Sequence, residues 1–273
     1  MKIKREITYA GKTKIVSLRA TTRLRSRKGE KRSPKANPTP EAVAKNNLRY
    51  AIKELTAKLN HNFEGGDYHL VLTYKFVPDQ AEAKRCLNNF LRNVRLACSK
   101  KKIIFKRIAV TEYEGKRIHH HVVCTGIDPE LIRKYWPYGW VNFKYLDPSG
   151  NYAKLAEYLV KETEKTFRKD DCLFKRRYSA SRNIATPETR IEEVSERVLE
   201  RDIEAAKGYY IDQDSVKRYD HAILGVECVE YIEIKLDDGR HRKRGKKGKL
   251  REIFRYDHPE QLAFDAGGEY DER

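Results

Sequence analysis

No run of 18 apolar residues occurs in the 273-residue chain, which argues against a membrane-spanning helix. Met1 to Arg5 carries charge with no apolar segment behind it, so no secretory leader is expected. Cysteine is scarce and scattered: Cys86, Cys98, Cys124, Cys172 and Cys228 form an odd set without close pairs. That argues against a disulfide framework and a zinc ribbon, and fits a reducing cytoplasm. Apolar residues, at 39%, are below the usual share, though still enough for a core. A phosphate-binding loop is also missing: Gly239 and Gly245-Lys246 enclose five residues rather than four and lie between expected strands, so no ATPase is indicated.

Acidic charge is what the first two thirds lack. Residues 1–64 hold 17 Lys/Arg against 5 Asp/Glu, residues 65–183 hold 24 against 13, and residues 184–273 hold 17 against 22. Residues 1–183 therefore carry +23 and the rest −5, which together make the net +18. A field of that sign attracts polyanions, above all nucleic acid. A solvated basic surface or an acidic protein partner would give the same count.

Ile3–Tyr9 and Lys14–Leu18 read as strands around a turn at Gly11. Arg19 to Pro40 is a basic, apolar-poor linker or arm. Pro40-Glu41 opens a helix to about Asn60, with Val43, Leu48, Ile52, Leu55 and Leu59 on one stripe. Then come a strand over Asp67–Phe76, a helix over 80–99, a hairpin of Ile103–Tyr113 with Arg117–Thr125, and a short helix after Asp128-Pro129. A strand over Gly139–Tyr145 and a helix over Asn151–Arg168 follow. This order, β-α-β-β-α-β-α, predicts an α+β fold: an antiparallel sheet with helices packed on a face. Three parts are expected: a basic N-terminal arm and helix (1–64), a central domain (65–185), and a C-terminal extension (186–273). The extension reads as a charged helix over Thr186–Lys207 and a hairpin of Ala222–Leu236 with Lys249–Tyr256 around the basic loop Asp237–Lys247.

The sharpest feature is Ile118-His119-His120-His121-Val122-Val123. Alternation along a strand points His119 and His121 one way and His120 the other. Two imidazoles a strand pitch apart can share a divalent ion. Pairing through the turn near 114–116 can bring Glu112 beside His119 as a third ligand. Two imidazoles and a carboxylate with open positions suit Mn²⁺ or Mg²⁺ acting on phosphate. On the last helix Tyr158 and Lys161 are three apart and share a face, whereas Tyr152, six residues before Tyr158, faces elsewhere. A phenol is a weak nucleophile while protonated, and a nearby ammonium and a polarised phosphate would correct that. Each residue also has a plainer reading: solvent-facing histidines, a surface glutamate, a core tyrosine, a solvated lysine.

Together, His-Leu-Val-Leu-Thr-Tyr (69–74), His-x-His (119–121) and Tyr-x-x-Lys (158–161), in that order, resemble the three motifs of HUH endonucleases. Within these the chain looks most like rolling-circle replication initiators of the filamentous-phage gene II and small-phage or plasmid type. Asn62-Phe63, Gly66-Asp67-Tyr68-His69-Leu70 and Lys175–Asn183 (KRRYSASRN) add to that likeness, which covers about residues 40–185. The resemblance implies a divalent ion on His119, His121 and Glu112, with Tyr158 as nucleophile and Lys161 steadying the phosphate or phenolate. It implies a 5′-phosphotyrosine link and a free 3′-hydroxyl that primes synthesis. Single-stranded and origin DNA, a host DNA polymerase and a helicase are the implied partners, in the cytoplasm of a bacterial host. DNA contacts are expected from Lys175, Arg176, Arg177, Arg182, Lys116, Arg117 and Tyr74. Some relatives carry two tyrosines four apart; here Lys154 stands four before Tyr158, so a single-tyrosine enzyme is expected, with Tyr152 or a water available for a second transfer.

A relaxase or a single-tyrosine transposase shares that chemistry, although relaxases usually place the tyrosine near the N-terminus. From a different class, a non-catalytic nucleic-acid-binding protein on an RRM-like sheet would display Tyr68, Tyr74, Phe105 and Tyr113 to bases.

Overall fold

A computed structural model describes residues 2–21, 39–113, 117–164, 173, 176–195, 197–200, 203–220 and 227–236. The arm over 22–38, Lys116, Lys175, the loop Asp237–Lys247 and the expected strand Lys249–Tyr256 lie outside the described residues.

The site-bearing sheet is antiparallel, with strands β3 (Tyr68–Leu72), β4 (Arg107–Glu112), β5 (His119–Cys124), β6 (Val141–Tyr145) and β7 (Ser179–Ala180) in the order β6-β3-β5-β4-β7. Its alternating pattern buries both faces. Tyr68, Leu70, Leu72, Ala109, Val122 and Cys124 pack on helix α2 (Gln80–Lys100), which contributes Ala83, Leu87, Phe90, Leu91 and Val94, and on α3 (Pro129–Tyr135) with Trp136. Ile108, Val110 and Val123 face the other way, onto α1 (Pro40–Asn62) and α4 (Ala153–Glu164) through Leu55, Leu59, Phe63, Ala156, Leu159 and Val160. The α+β class holds, but helices cover both faces rather than one. Helix starts follow capping rules: the Thr39 hydroxyl accepts from Ala42 N at 3.2 Å, the Asp79 carboxylate accepts from Glu82 N at 2.7 Å, and Pro40 and Pro129 stand in first turns.

A second antiparallel sheet brings the strands near the N-terminus together with strands from residues 188–235. It contains β1 (Lys2–Ala10), β2 (Thr13–Thr21), β8 (Glu188–Val194), β9 (Tyr209–Asp220) and β10 (Glu227–Lys235), in the order β8-β1-β2-β10-β9. Gly11 turns β1 into β2 with φ +59°, and a Cβ there would run into the carbonyl of Asn60, so the turn sits hard against α1. Buried Asn60 joins the layers: its amide donates to Thr13 Oγ1 at 2.9 Å and its carbonyl accepts from Tyr152 N at 2.8 Å.

Two expectations for the C-terminal part are corrected. Thr186–Lys207 is not a long helix; Glu188–Val194 forms strand β8, and among the described residues of the stretch only Arg197–Glu200 is helical (α5). The charged, helix-prone composition is overridden by the free edge of β1, to which β8 adds a ladder, an Arg5–Glu192 pair at 3.1 Å and a Thr8–Thr189 hydroxyl contact at 3.0 Å. Glu227–Lys235 does form a strand, but its partners are β2 and β9. Strand β9 is largely polar at a sheet edge, so it carries little of the hydrophobic pattern that marks a strand.

Candidate active site

Strand alternation divides the three histidines of β5 between two environments. His120 points into the apolar layer and is fully buried. Its Nε2 lies 2.7 Å from the Tyr74 hydroxyl and its Nδ1 2.9 Å from the Thr111 hydroxyl. Burial pushes its pKa down to about 3, with a smaller contribution from the neighbouring histidines. It is therefore a neutral core residue with both ring nitrogens engaged.

On the opposite face the β4–β5 register sets Glu112 directly across from His119 and Val110 across from His121. Glu112 Oε2 lies 3.3 Å from His121 Nε2. His121 is 4% exposed, and its pKa is pushed down to about 4 by burial first and then by His119. A neutral imidazole is the form that can ligate a metal. Helix α4 passes over this face and sets the Tyr158 ring perpendicular to that of His121, with centroids 5.4 Å apart. Tyr158 keeps 43% of its surface exposed. Burial, with the charges of Glu112 and Glu162, raises its pKa, so its phenol is protonated at neutral pH.

The structure thus gathers Glu112, His119, His121 and Tyr158 on one face. The other expected site residues are placed differently. Lys161 pairs with Glu157 at 2.7 Å, along the helix, and Lys217 approaches the same carboxylate at 3.9 Å. Tyr152 is buried at 3% exposure, and its hydroxyl donates to the Asp147 carbonyl at 3.0 Å; burial raises its pKa. That position does not present its oxygen to the Tyr158 face. Tyr74, expected to contact DNA, is a core residue: it is 7% exposed, and its hydroxyl is held between His120 and the Ala83 carbonyl. Tyr68 and Phe105 are likewise buried, so neither is displayed for base stacking. Arg117, Arg176 and Arg182 are exposed, whereas Arg177 pairs with Glu164.

Three residues at this site were not singled out from the sequence for their chemistry. His69 on β3 lies diagonally across from His121 on the same face, with its Nε2 3.1 Å from His121 Nδ1 and the rings stacked at 5.3 Å. Burial, then His121 and Lys144, push its pKa down to about 4. Lys144 pairs with His69 in the β3–β6 register. Glu162 acts electrostatically on both Tyr158 and His121. The available signals were the strand alternation that puts residues 69 and 121 on one face, and the four-residue spacing of Tyr158 and Glu162 on a helix.

By donor type the face offers one carboxylate and two imidazoles, one oxygen and two nitrogen donors of the kinds that divalent metal sites use. Among the described residues no three His, Cys, Asp or Glu side chains gather closely enough to enclose an ion as they stand.

Residues 67–167 match a family model, that of the replication-associated proteins of the ORF2 and gene II protein type. The matched segment runs from the start of β3 through α4 and so includes His69, Glu112, His119, His121, Tyr158 and Lys161. This similarity supports a role in DNA replication, of the initiator type, with DNA as a partner. No curated protein and no solved structure matches the chain. No helix among the described residues is long and apolar enough to cross a membrane.

Proposed function

We propose that the protein initiates DNA replication as an HUH endonuclease, nicking single-stranded DNA at an origin through Tyr158. The observation that carries the reading is the edge-on contact of the Tyr158 ring with His121, on a strand face that also holds Glu112 and His119. Tyrosine, carboxylate and paired histidines in one place are the parts needed for metal-assisted phosphoryl transfer, and the family match spans all of them.

In this reading His119, His121 and Glu112 hold Mn²⁺ or Mg²⁺. The ion, when bound, supplies Lewis acidity to a non-bridging phosphate oxygen. Tyr158 presents its hydroxyl from a partly exposed position that a single strand can reach. Its oxygen forms a bond to phosphorus as the bond from phosphorus to the 3′ oxygen breaks. The phenolic proton is given up and the departing 3′ oxygen gains one, so no net charge is created. The phosphotyrosine conserves a phosphoester, so a later strand transfer needs no nucleotide cofactor. Burial, and after it the charges of Glu112 and Glu162, raise the Tyr158 pKa, so the phenol must lose its proton in the course of the attack. Lys161, exposed and three residues after Tyr158 on α4, would exchange its pairing with Glu157 for a phosphate when DNA binds. Arg176, Arg182 and Arg117 are exposed cations available to the strand backbone. A host polymerase extends the free 3′ end, with a helicase to separate the strands.

Incubation with a pool of single-stranded oligonucleotides and Mn²⁺, followed by denaturing electrophoresis, tests the proposal. A protein–DNA adduct resistant to denaturation and absent with chelator is expected. Binding to DNA with neither cleavage nor adduct would favour a non-catalytic replication protein instead.

A further inference from the structure

A histidine that binds a metal through one ring nitrogen usually fixes its ring by donating the N–H of the other nitrogen to a nearby acceptor. For His121 that other nitrogen is Nδ1, because Nε2 is the one turned to Glu112 at 3.3 Å. The group facing Nδ1 is the Nε2 of His69, at 3.1 Å, with the two rings stacked at an interplanar angle of 29°. His69 is 8% exposed, and its backbone is fixed between β5 and β6 by ladders on both sides. A residue so placed has little freedom to turn away from its neighbour.

We infer that His69 is a positioning residue for the site: its Nε2 accepts the Nδ1–H of His121, which holds the His121 ring in place and leaves Nε2 as the ligating atom. The inference rests on the reading of His121 as a metal ligand. In the structure as it stands, the 3.3 Å contact with Glu112 needs a proton on His121 Nε2, so Nδ1 accepts from His69 Nε2–H. With His121 Nε2 given over to a divalent ion, the His121 ring would carry its proton on Nδ1 and donate it to the lone pair of His69 Nε2, and His69 would carry its own proton on Nδ1. Each ring keeps one proton and stays neutral. His69 therefore acts as a reversible partner that can donate to His121 or accept from it, which a backbone carbonyl or a carboxylate cannot do.

Isothermal titration of the full chain with MnCl₂ tests this, using the wild type, His69→Leu, His69→Gln and His121→Ala. The wild type should show a binding event that His121→Ala removes. His69→Leu should weaken that event about 10- to 100-fold, the usual scale for losing a partner of a ligand. His69→Gln, whose amide can offer either a donor or an acceptor at the same reach, should recover most of the loss. Unchanged affinity in His69→Leu overturns the inference while leaving His121 as a ligand. Loss of binding in both His69 variants, as complete as in His121→Ala, also overturns it, since His69 would then be a ligand itself. A wild type without His121-dependent binding defeats the underlying reading instead. Should His69→Leu fail to fold, long-range ¹H–¹⁵N spectra of the Mg²⁺-loaded wild type decide: a proton on His121 Nδ1 is expected, and a bare Nδ1 contradicts the inference.

Discussion

Among the described residues the two sheets have the same strand number and the same antiparallel pairing, yet they differ in what their polar residues do. In the sheet built from residues 68–180, buried polar groups meet on one face and stay accessible to a partly exposed tyrosine. In the sheet built from residues 2–21 and 188–235, charges meet as cross-strand pairs: Arg5 with Glu192 at 3.1 Å and Lys14 with Glu233 at 3.7 Å, each directly opposed in register. Pairs of that kind set register and partner choice, whereas a face of neutral imidazoles and a carboxylate offers ligands and a place for phosphate. The family match falls on the first sheet and stops before β7 and the return of the chain to the second. Shared architecture therefore says little about shared function, and the chemistry follows the polar cluster.

If this division is right, substitutions on the two sheets should separate chemistry from stability. The largest expected effect is on cleavage: His121→Ala should cut the nicking rate by at least about a thousandfold. Circular-dichroism melting should show the fold retained, and a residual rate within tenfold of the wild type would contradict the placement of the site. His120→Ala sharpens the contrast, because it lies on the same strand but on the core face. It should cost about 2–4 kcal/mol, as a buried side chain with both nitrogens bonded is lost, and leave cleavage measurable at low temperature. The same residue gives a pH signature. Folding depresses the pKa of His120 to about 3, from an ordinary value near 6.5, so its stability contribution is present above about pH 6.5 and is lost as pH falls below that. The wild type should accordingly lose stability on acidification by about 1.4 kcal/mol per pH unit for each such histidine, and His120→Ala should flatten that slope.

The next effect is smaller. Replacing both Arg176 and Arg182 with alanine should weaken single-strand affinity about tenfold and lower the salt dependence of binding, measured by fluorescence anisotropy at several KCl concentrations. An unchanged salt slope would remove these two arginines from the DNA surface. The smallest effect belongs to the second sheet: Arg5→Ala should cost under about 1 kcal/mol in urea denaturation and leave nicking unchanged, since its partner is an exposed carboxylate. A large loss of nicking there would erase the contrast between the sheets.

Much of the first sheet was legible in the sequence because its strands carry alternating apolar residues and its helices carry capped apolar stripes. Alternation alone separated His120 from its neighbours, and a short hairpin was enough to bring Glu112 opposite His119. What was hidden depends on contacts distant in sequence. His69 reaches His121 across 52 positions, and Tyr74 is drawn into the core by His120 and the α2 backbone rather than displayed on the sheet. The second sheet was hidden for the same reason: β8 has the composition of a charged helix and becomes a strand only because β1, nearly two hundred residues earlier, offers it an edge.

The most direct measurement is the identity of the residue that carries the DNA. After reaction with single-stranded DNA and Mn²⁺, the adduct is trapped, digested with protease and nuclease, and the nucleotide-bearing peptide is identified by mass spectrometry. A peptide from α4 with the nucleotide on Tyr158, absent in Tyr158→Phe while that variant still binds DNA, is the expected result. A nucleotide on any other residue, or cleavage that persists in Tyr158→Phe, would contradict it.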